Sequence, residues 1–306
     1  MALTKQDKSI LTVVGIILGL FVLFIFFGMI GMLSFFQRGD RDFDISGKGE
    51  KIAVVELRGL ILDSRDVVRQ FKKYRETKSI KGVVFRVESP GGGVVASQEI
   101  YEEVKKTRDS GKIVVVSMGS LAASGGYYVS CGATRIVANS GTITGSIGVI
   151  SQFLHYGELM DKLGIAETTI KSGKLKDAGS WARRMSKQER QYFQSLMDDV
   201  HVQFIQVVEM ERNVAHERLL ELADGRVFTG RNALEMGLVD TLGTYEDAIA
   251  IAAELSGIEG KPAIVKEKKR RSIFDVFLQS FKEVVVQTER EIFDKSIFQY
   301  RYVGPF

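Results

Sequence analysis

Two glycine-rich turns lie within residues 89–148, and a serine stands inside the second of them. The turns read Ser-Pro-Gly-Gly-Gly at 89–93 and Ala-Ala-Ser-Gly-Gly at 122–126. Because glycine has no Cβ, its backbone N–H groups can approach a bound carbonyl oxygen closely, as an oxyanion hole requires. Ser124 could then attack the carbonyl carbon as a nucleophile. A run of small residues also lets a helix pack closely on a sheet, and the residues alone leave both interpretations open.

A serine hydroxyl is a weak nucleophile unless a base removes its proton. The chain has three histidines. We expect His201 and His216 to face solvent from a long helical region, whereas His155 follows a strand-like run at 147–153 and could come near Ser124. None of the three has an evident aspartate partner, so the sequence supports a Ser-His-Asp triad only weakly.

Lysine is the other base that the chain offers. Lys171, Lys174 and Lys176 lie in a loop that follows the apolar segment 165–170. A lysine acts as a base only when its neutral form is favoured, and burial favours that form because it disfavours the ammonium. Residue types alone do not choose among these three lysines, each of which could equally be a solvated loop cation.

The elements that must position these groups alternate along the chain. Residues 51–61, 83–87 and 113–116 predict strands, and the latter two are short, β-branched and bounded by glycine or serine. Residues 64–78 and 98–106 have the apolar spacing of amphipathic helices. This alternation predicts right-handed crossovers and a mainly parallel sheet, with both glycine turns at its carboxyl edge, where ligands bind in open α/β sheets.

Two further signals lie beyond the loop. Ser186 and Glu189 have the spacing of a capping box that opens a helix running toward residue 211, with an apolar stripe expected to be core or a subunit contact. Thr229 is placed to cap another helix, and we favour structural ion pairing for Arg226 and Arg231 over substrate contact.

Four ordered segments resemble the signal peptide peptidase A family of membrane-bound Ser-Lys peptidases in its short bacterial form. They are S-P-G-G-G at 89–93, M-G-S-L-A-A-S-G-G-Y-Y at 118–128, T-G-S-I-G-V-I at 144–150 and K-S-G-x-x-K-D at 171–177. The resemblance extends over residues 51–257. It implies an α/β, Clp protease/crotonase-like three-layer fold with a mainly parallel sheet, preceded by one N-terminal transmembrane helix.

The resemblance also implies a role for each matching residue. Ser124 corresponds to the family nucleophile and Lys176 to its general base, while Ser146 corresponds to the hydroxyl that orients the lysine. The backbone N–H groups of Gly92 and Gly125 correspond to the oxyanion hole. A lysine amine can take the serine proton and return it to the leaving amine without a histidine.

Asp177 adjoins Lys176, and a carboxylate turned toward the amine would raise the lysine pKa, so we expect Asp177 to point away. No metal or organic cofactor is expected, because the sequence has no Cys/His cluster with metal-ligand spacing. The single cysteine, Cys131, cannot form an internal disulfide.

Residues 9–37 carry no charge and exceed the length that a membrane-spanning helix needs. The chain is therefore divided into a cytoplasmic N-terminus (1–8), a transmembrane signal anchor (9–37), a tether (38–50), a peptidase domain (51–260) and a C-terminal tail (261–306). This organisation predicts a single-pass protein of the bacterial inner or cell membrane, with an extracytoplasmic catalytic domain.

The C-terminal tail combines a basic cluster at 266–271 with apolar residues at helical spacing. We expect this helix to lie on anionic headgroups or on a neighbouring subunit, and no stacking or groove-reading motif indicates nucleic acid. Residues 300–306 could reach an active site, as tails do in some members of the family that this sequence resembles.

These patterns together predict a membrane-anchored serine endopeptidase. Its expected substrates are remnant signal peptides or other short apolar peptides, cleaved through an acyl-enzyme, and the family resemblance implies a homo-oligomeric ring or dome with each active site near a neighbouring subunit. A crotonase-like acyl thioester enzyme and a non-catalytic membrane scaffold of the same fold are the alternatives.

Overall fold

The computed structural model describes residues 19, 23, 26, 27, 43–46, 49–267 and 299–302. The predicted signal anchor at 9–37, apart from four residues, and most of the C-terminal tail lie outside the described residues. Within the described part, no helix is long and apolar enough to cross a membrane. The chain divides into two units, Met1–Phe43 with Glu267–Asp294 and Asp44–Lys266 with Lys295–Phe306. The functional elements belong to the second unit.

The strands and helices follow each other in close succession. The strands are β1 (Phe43–Ser46), β2 (Lys51–Arg58), β3 (Ile80–Ser89), β4 (Gly91–Gly93), β5 (Ile113–Ala123), β6 (Arg135–Ala138), β7 (Ile143–Gly145), β8 (Val227–Thr229), β9 (Thr241–Leu242), β10 (Ala263–Glu267) and β11 (Gln299–Arg301). The helices are α1 (Arg65–Glu76), α2 (Val94–Asp109), α3 (Gly125–Cys131), α4 (Gly157–Lys162), α5 (Lys187–Arg212), α6 (His216–Leu222), α7 (Gly230–Glu235) and α8 (Tyr245–Leu255).

The main sheet has the order β1-β10-β2-β3-β5-β6-β9. Each pairing from β10 through β9 is parallel, as the alternation of strands and helices predicted. β7 pairs in parallel with the last residues of β5, and β8 pairs antiparallel with β7. The carboxyl end of β5 is thereby supported by a strand that lies next to it at one edge of the sheet.

The sheet lies between two helical layers, because successive strand residues point to opposite faces. On one face, residues such as Val55 and Phe85 pack in the larger core cluster with α1, α2 and α3. On the other face, residues such as Val54 and Val84 pack against α8. The predicted three-layer α/β arrangement is thus confirmed, and both sheet faces are buried.

The structure confirms the predicted capping box, in which the Ser186 hydroxyl accepts from the Glu189 N–H and the Glu189 carboxylate accepts from the Ser186 N–H. Thr229 caps α7 as predicted, since its hydroxyl accepts from Asn232 N. The strand predicted at 147–153 is wrong: only Ile150 forms a bridge, to Gln299, and the segment is otherwise irregular. Ile147 instead joins the larger core cluster, and Val149 packs against it.

Candidate active site

Ser124 stands at the turn between β5 and α3, where the sequence predicted it. Its backbone has φ 54° and ψ −118°, in the positive-φ region that non-glycine residues rarely adopt. The Ser124 N–H donates to Gly145 O at 2.8 Å, and Ser124 O accepts from Tyr128 N at 2.8 Å, so the turn is held by both the neighbouring strand and the helix. Such strained residues persist where the surrounding structure enforces them, and they cluster at functional sites.

The Ser124 hydroxyl is buried, with the residue only 1% exposed, yet its Oγ has no hydrogen-bond partner within the described part of the chain. Most buried hydroxyl groups in native proteins are paired, because an unpaired one loses its hydrogen bonds to water without replacement. Ser124 is therefore a buried hydroxyl that has no hydrogen-bond partner among the residues the structure describes.

Ser146 lies beside Ser124, because Ala123 and Gly145 are paired residues on β5 and β7. Ser146 also has a positive φ of 52°, and its N–H donates to Arg226 O at 2.8 Å. The Arg226 guanidinium pairs with Asp224, in agreement with the structural role predicted for it. The carbonyl of Arg226, which sequence reasoning did not single out, thus holds the second serine in place.

The first glycine turn forms β4, directly beside Ser124. On one edge of β4, Ile61 N donates to Gly91 O at 2.9 Å and Gly93 N donates to Ile61 O at 2.8 Å. A Cβ on Gly92 would lie 2.2 Å from Ile61 O, so no side chain fits there. Sequence reasoning missed Ile61, whose backbone positions the turn from a loop that carries no motif.

The other edge of β4 is covered by β11, in which Tyr300 lies opposite Gly92 in antiparallel register. Tyr302 N donates to Pro90 O at 2.8 Å, and the alternation of an antiparallel ladder directs the Gly92 N–H toward Tyr300. The Tyr300 carbonyl oxygen lies 1.9 Å from an ideal Cβ on Gly91 and 3.1 Å from one on Gly125. A peptide carbonyl therefore occupies the position beside both predicted oxyanion glycines.

The Tyr300 side chain enters an aromatic slot made by Tyr128, Phe204 and the Val200 carbonyl. The Tyr300 ring stacks on Tyr128 with centroids 5.1 Å apart, lies 4.6 Å from the Phe204 ring, and its hydroxyl donates to Val200 O at 3.1 Å. Burial raises the pKa of Tyr128 to about 12. The aromatic slot was not predicted, although Tyr128 follows Ser124 by one helical turn and its aromatic character was the available signal.

Lys176 lies in an exposed loop, and among the described residues neither Ser124 nor Ser146 makes a hydrogen bond with it. The neighbouring Asp177 carboxylate contacts Lys171 and Arg183, which lower the pKa of that carboxyl. The expectation that Asp177 turns away from Lys176 is confirmed. The described residues bring Ser124, Ser146, Gly92 and Gly125 together, and no hydrogen bond within them joins Lys176 to this group.

The lysine loop, residues 171–186, is fastened to the start of α5. Arg183 Nη1 donates to Glu189 Oε2 at 2.9 Å while the same guanidinium contacts Asp177. Arg183 and the Ser186 N–H lower the pKa of Glu189 to about 2. One arginine therefore links the carboxylate next to Lys176 with the cap of a long helix, which fixes the loop that carries the lysine.

An unusual share of large apolar side chains is exposed near the lysine loop. Ile170 is 96% exposed. Six others in this region are more than two-fifths exposed: Leu154, Tyr156, Leu159, Leu163, Ile165 and Trp181. All seven lie within residues 154–181, and exposed large apolar side chains that form a patch typically mark an interaction site. Lys176 thus lies next to a surface that a second molecule could cover.

No histidine is hydrogen-bonded to Ser124 within the described residues. His155 is exposed and lies 3.3 Å from Ser180 O through Nδ1, and no hydrogen bond joins it to Ser124. The prediction that His201 faces solvent is wrong for its Nε2, which is buried with no hydrogen-bond partner among the described residues. His201 lines a cavity of about 530 Å³ together with Ser146. His216 lies at the start of α6, and its Nδ1 pairs with Glu209. Within the described ranges, no cluster of three or more His, Cys, Asp or Glu residues could hold a metal ion.

Two family models and several known proteins match the sequence of this chain. Residues 106–259 match the model of peptidase family S49, and residues 39–143 match that of Clp protease. A putative protease of Synechocystis sp. is 46% identical over 211 residues, which are 69% of this chain and 76% of that protein. A putative protease of Methanocaldococcus jannaschii is 37% identical over 266 residues, 82% of this chain and 85% of the relative.

A third relative is a putative signal peptide peptidase SppA of Enterococcus faecium, which is 38% identical over 213 residues. These residues are 65% of this chain and 62% of the relative, so the match leaves more than a third of that protein uncovered. All four segments that carry the family resemblance lie within residues 89–177, between the start of the Clp protease match and the end of the S49 match.

Proposed function

Because the chain belongs to peptidase family S49, the signal peptide peptidase A family, and is a serine peptidase, we propose that Ser124 is its nucleophile and Lys176 its general base. The observation that carries the proposal is the buried Ser124 hydroxyl, which has no partner among the described residues and lies on a positive-φ turn beside Ser146. A structural serine would have a partner, whereas a nucleophile must keep its hydroxyl available for a base and a substrate.

In the proposed reaction, the neutral amine of Lys176 takes the Ser124 proton as the serine oxygen attacks the substrate carbonyl carbon. The tetrahedral oxyanion accepts hydrogen bonds from the N–H groups of Gly92 and Gly125. The amine then gives its proton to the leaving nitrogen, which departs and leaves an acyl group on Ser124. Water, deprotonated by the same amine, releases the acyl group. The Ser146 hydroxyl orients the lysine throughout.

The position of Tyr300 supports this assignment of the oxyanion hole. Tyr300 lies opposite Gly92 on a strand paired with β4, and its carbonyl oxygen lies 3.1 Å from the ideal Cβ position of Gly125. An extended substrate would pair with β4 in the same antiparallel direction, and backbone hydrogen bonds would bind it with little regard to side chains. Folded proteins cannot offer such a strand, so flexible peptides are favoured.

We further propose that Lys176 acts on Ser124 of a second copy of the chain. Among the described residues the serine is buried and unpaired, while Lys176 is exposed on a loop whose neighbouring chain segments carry exposed apolar side chains. Covering that surface with a neighbouring subunit would desolvate the ammonium and lower its pKa, which a lysine base requires. A closed homo-oligomer, such as a ring or dome, repeats this contact for every subunit.

Mixing inactive variants tests the shared site. Full-length Ser124→Ala and Lys176→Ala proteins are each expected to lose cleavage of a fluorogenic apolar peptide while still assembling, as judged by sedimentation. Co-expressed, they should regain part of the wild-type activity, because some contacts then join an intact serine with an intact lysine. Co-expression of Ser124→Ala with the double variant is the matched control and should stay inactive. Activity retained by Lys176→Ala alone would assign the base elsewhere, to Lys171, Lys174 or His155.

The proposed substrates are remnant signal peptides or other short apolar peptides, and the proposed location is the bacterial cell membrane with an extracytoplasmic catalytic domain. The uncharged run at 9–37 and the apolar aromatic slot support this assignment. The test is a comparison of an isolated signal peptide with a folded protein that carries the same segment in a helix. Equal rates of cleavage for both would contradict the proposal.

A further inference from the structure

β5 contains a bulge shortly before Ser124. The regular pairs between β3 and β5 on either side of this bulge are Val87 with Met118 and Ser89 with Ala122. Residues 119–121 therefore face a single residue of β3, which is Glu88. A bulge leaves backbone groups without ladder partners and bends its strand, and bulges next to active sites re-aim a side chain. The groups that pair with this bulge thus determine the direction in which β5 enters the Ser124 turn.

The Glu88 carboxylate supplies hydrogen-bond acceptors on one side of the bulge. Its Oε2 accepts from Ser120 N at 3.1 Å, and its Oε1 accepts from Leu121 N at 3.1 Å. The carboxylate also packs on Gly119, where an ideal Cβ would lie 1.7 Å from Glu88 Oε2. Hydrogen bonds to an ionised acceptor are stronger than those between neutral groups. A single side chain therefore takes the place of the β3 backbone along the bulge.

Two threonines hold the bulge and the residue after it from the opposite side. Thr142 Oγ1 donates to Gly119 O at 2.7 Å. Thr144 Oγ1 donates to Ala122 O at 2.7 Å, and both threonines are buried. On this side β5 changes its neighbour from β6 to β7. The bulge is thus fixed from both sides immediately before the strained turn.

We propose that Glu88 is a positioning residue of the peptidase, whose carboxylate places Ser124 and the Gly125 N–H through the bulge. This inference rests on the proposed function and adds a residue to it. Ser124 has a positive φ, which persists only where the surrounding structure enforces it. Without the carboxylate, the N–H groups of Ser120 and Leu121 lose their acceptors, and the strand end that carries the nucleophile and one oxyanion donor shifts with them.

Binding of the substrate strand depends on other contacts. In the proposed reaction that strand pairs with β4, and β4 is held along its other edge by the backbone of Ile61. In the described part of the chain, the hydrogen bonds of the Glu88 carboxylate go to β5 and not to β4. Changes to the Glu88 side chain should therefore lower kcat and leave KM unchanged, which distinguishes misplaced catalytic groups from lost substrate binding.

The first experiment measures hydrolysis of a fluorogenic apolar peptide by full-length Glu88 variants. Glu88→Gln keeps one acceptor and should lower kcat about threefold to tenfold, as the loss of one hydrogen bond allows. Glu88→Ala keeps none and should lower kcat by about 100-fold, the effect expected when reacting groups move by about 1 Å. Equal kcat for wild type and Glu88→Ala would overturn the proposal, as would a loss of kcat/KM that lies entirely in KM.

A peptide aldehyde and a control variant make this experiment specific. The aldehyde forms a tetrahedral adduct with a serine nucleophile, so its inhibition constant should rise in proportion to the loss of kcat. Glu56→Gln makes the same change of charge on β2, where the carboxylate pairs with Arg58 and Lys266, and it should keep the wild-type kcat. A Glu88→Gln protein with a lower Tm but wild-type kcat and aldehyde inhibition would indicate a purely structural role and contradict the proposal.

Gly119→Ala tests the same contact without changing Glu88. The three atoms nearest to the new methyl group all belong to the Glu88 carboxylate, which can turn away, so the protein should fold with that carboxylate displaced. The kcat should fall about tenfold in the wild-type background, as the loss of the carboxylate bonds allows. In the Glu88→Ala background the same substitution should have no further effect, because the displaced atoms are absent. Equal losses in both backgrounds would overturn the proposal.

The inference and the proposed function fail in different ways. If Ser124→Ala cleaves the peptide as the wild type does, the proposed nucleophile is wrong and this inference fails with it. Ser124-dependent cleavage that Glu88→Ala leaves intact overturns the positioning role alone. If Glu88→Ala does not fold, as judged by circular dichroism, Glu88→Gln and Gly119→Ala must both show a lower kcat with unchanged KM, and a wild-type kcat in either variant overturns the proposal.

Discussion

Substitution of Gly91 by alanine tests whether close backbone packing builds the proposed oxyanion hole. Gly91 has φ +95°, and a Cβ there would lie 1.9 Å from Tyr300 O and 2.6 Å from Gly125 N. Gly111 provides a matched control in the turn between α2 and β5, because its φ is +88° and nothing lies within 4 Å of its Cβ position. The two substitutions impose the same backbone strain but differ in what the new methyl group meets.

The expected magnitudes follow from these distances. Placing alanine in a left-handed conformation costs about 1–2 kcal/mol of unfolding free energy, and both variants should lose this much. Gly91→Ala adds overlap with two backbone atoms that cannot rotate away, which costs a further 1–3 kcal/mol or so. Relief of the overlap must move Gly125 N or the carbonyl that lies beside it. Loss of one oxyanion donor lowers kcat by roughly 100-fold or more, and Gly91→Ala should approach that loss.

Urea unfolding gives the two stability changes, and hydrolysis of a fluorogenic peptide gives kcat/KM for each variant. Gly111→Ala is expected to lose stability with unchanged kcat/KM at a temperature where the protein is folded. The reasoning is refuted if Gly91→Ala hydrolyses the peptide at the rate of Gly111→Ala, since the methyl group would then be tolerated at the site. A fully unfolded Gly91→Ala protein is distinguished by its loss of circular dichroism, and both variants are then compared at a lower temperature where they fold.

Three further predictions concern the lysine loop and the core. Arg183→Lys keeps the charge but cannot bridge two carboxylates, so it should misplace Lys176 and lower kcat about tenfold. Arg184→Lys is the control and should leave kcat unchanged, because its partner Glu158 is exposed; a pH–rate profile of each variant checks this. The folded-state pKa of Glu189 is lowered from 4.5 to about 2, so the stability that its carboxylate contributes is present above pH 4.5 and is lost as the pH falls toward 2. The Tm difference between wild type and Glu189→Gln should therefore disappear across that interval. Burial raises the pKa of Cys131 to about 12, so iodoacetamide should label it only in urea; labelling of the folded protein at neutral pH would contradict its burial.

Local sequence patterns predicted much of the fold and the turn at Ser124. The β-branched runs that became β3 and β5, and the Ser186 capping box, depend on residues a few positions apart, which the sequence shows directly. The wrong predictions involve pairing over long distances. The run at 147–153 is apolar enough for a strand, but the sheet edge beside it is already occupied by β7 and β8. No local pattern indicates which edge is free.

The same limit applies to the site. Ser124 and the glycine turns were singled out from residue types, and Ser146 from the family resemblance; the structure brings these groups together. The support from Ile61 and Arg226 is given by backbone groups, which every residue has, so no residue type could reveal it. The aromatic slot joins residues 128, 204 and 300, whose proximity depends on three elements that meet only in the folded chain.

The bonds that hold the two serine turns also determine when these turns can form during folding. Ser124 depends on Gly145, and Ser146 depends on Arg226, which lies immediately before β8. Contacts between residues so far apart in the chain close large loops and form late, and parallel sheets are correspondingly slow to fold. Nascent or truncated chains that end before β8 would present the Ser124 turn without the support of the Ser146 turn. Proteolytic competence should therefore appear only at the end of refolding, after most of the helical signal has returned.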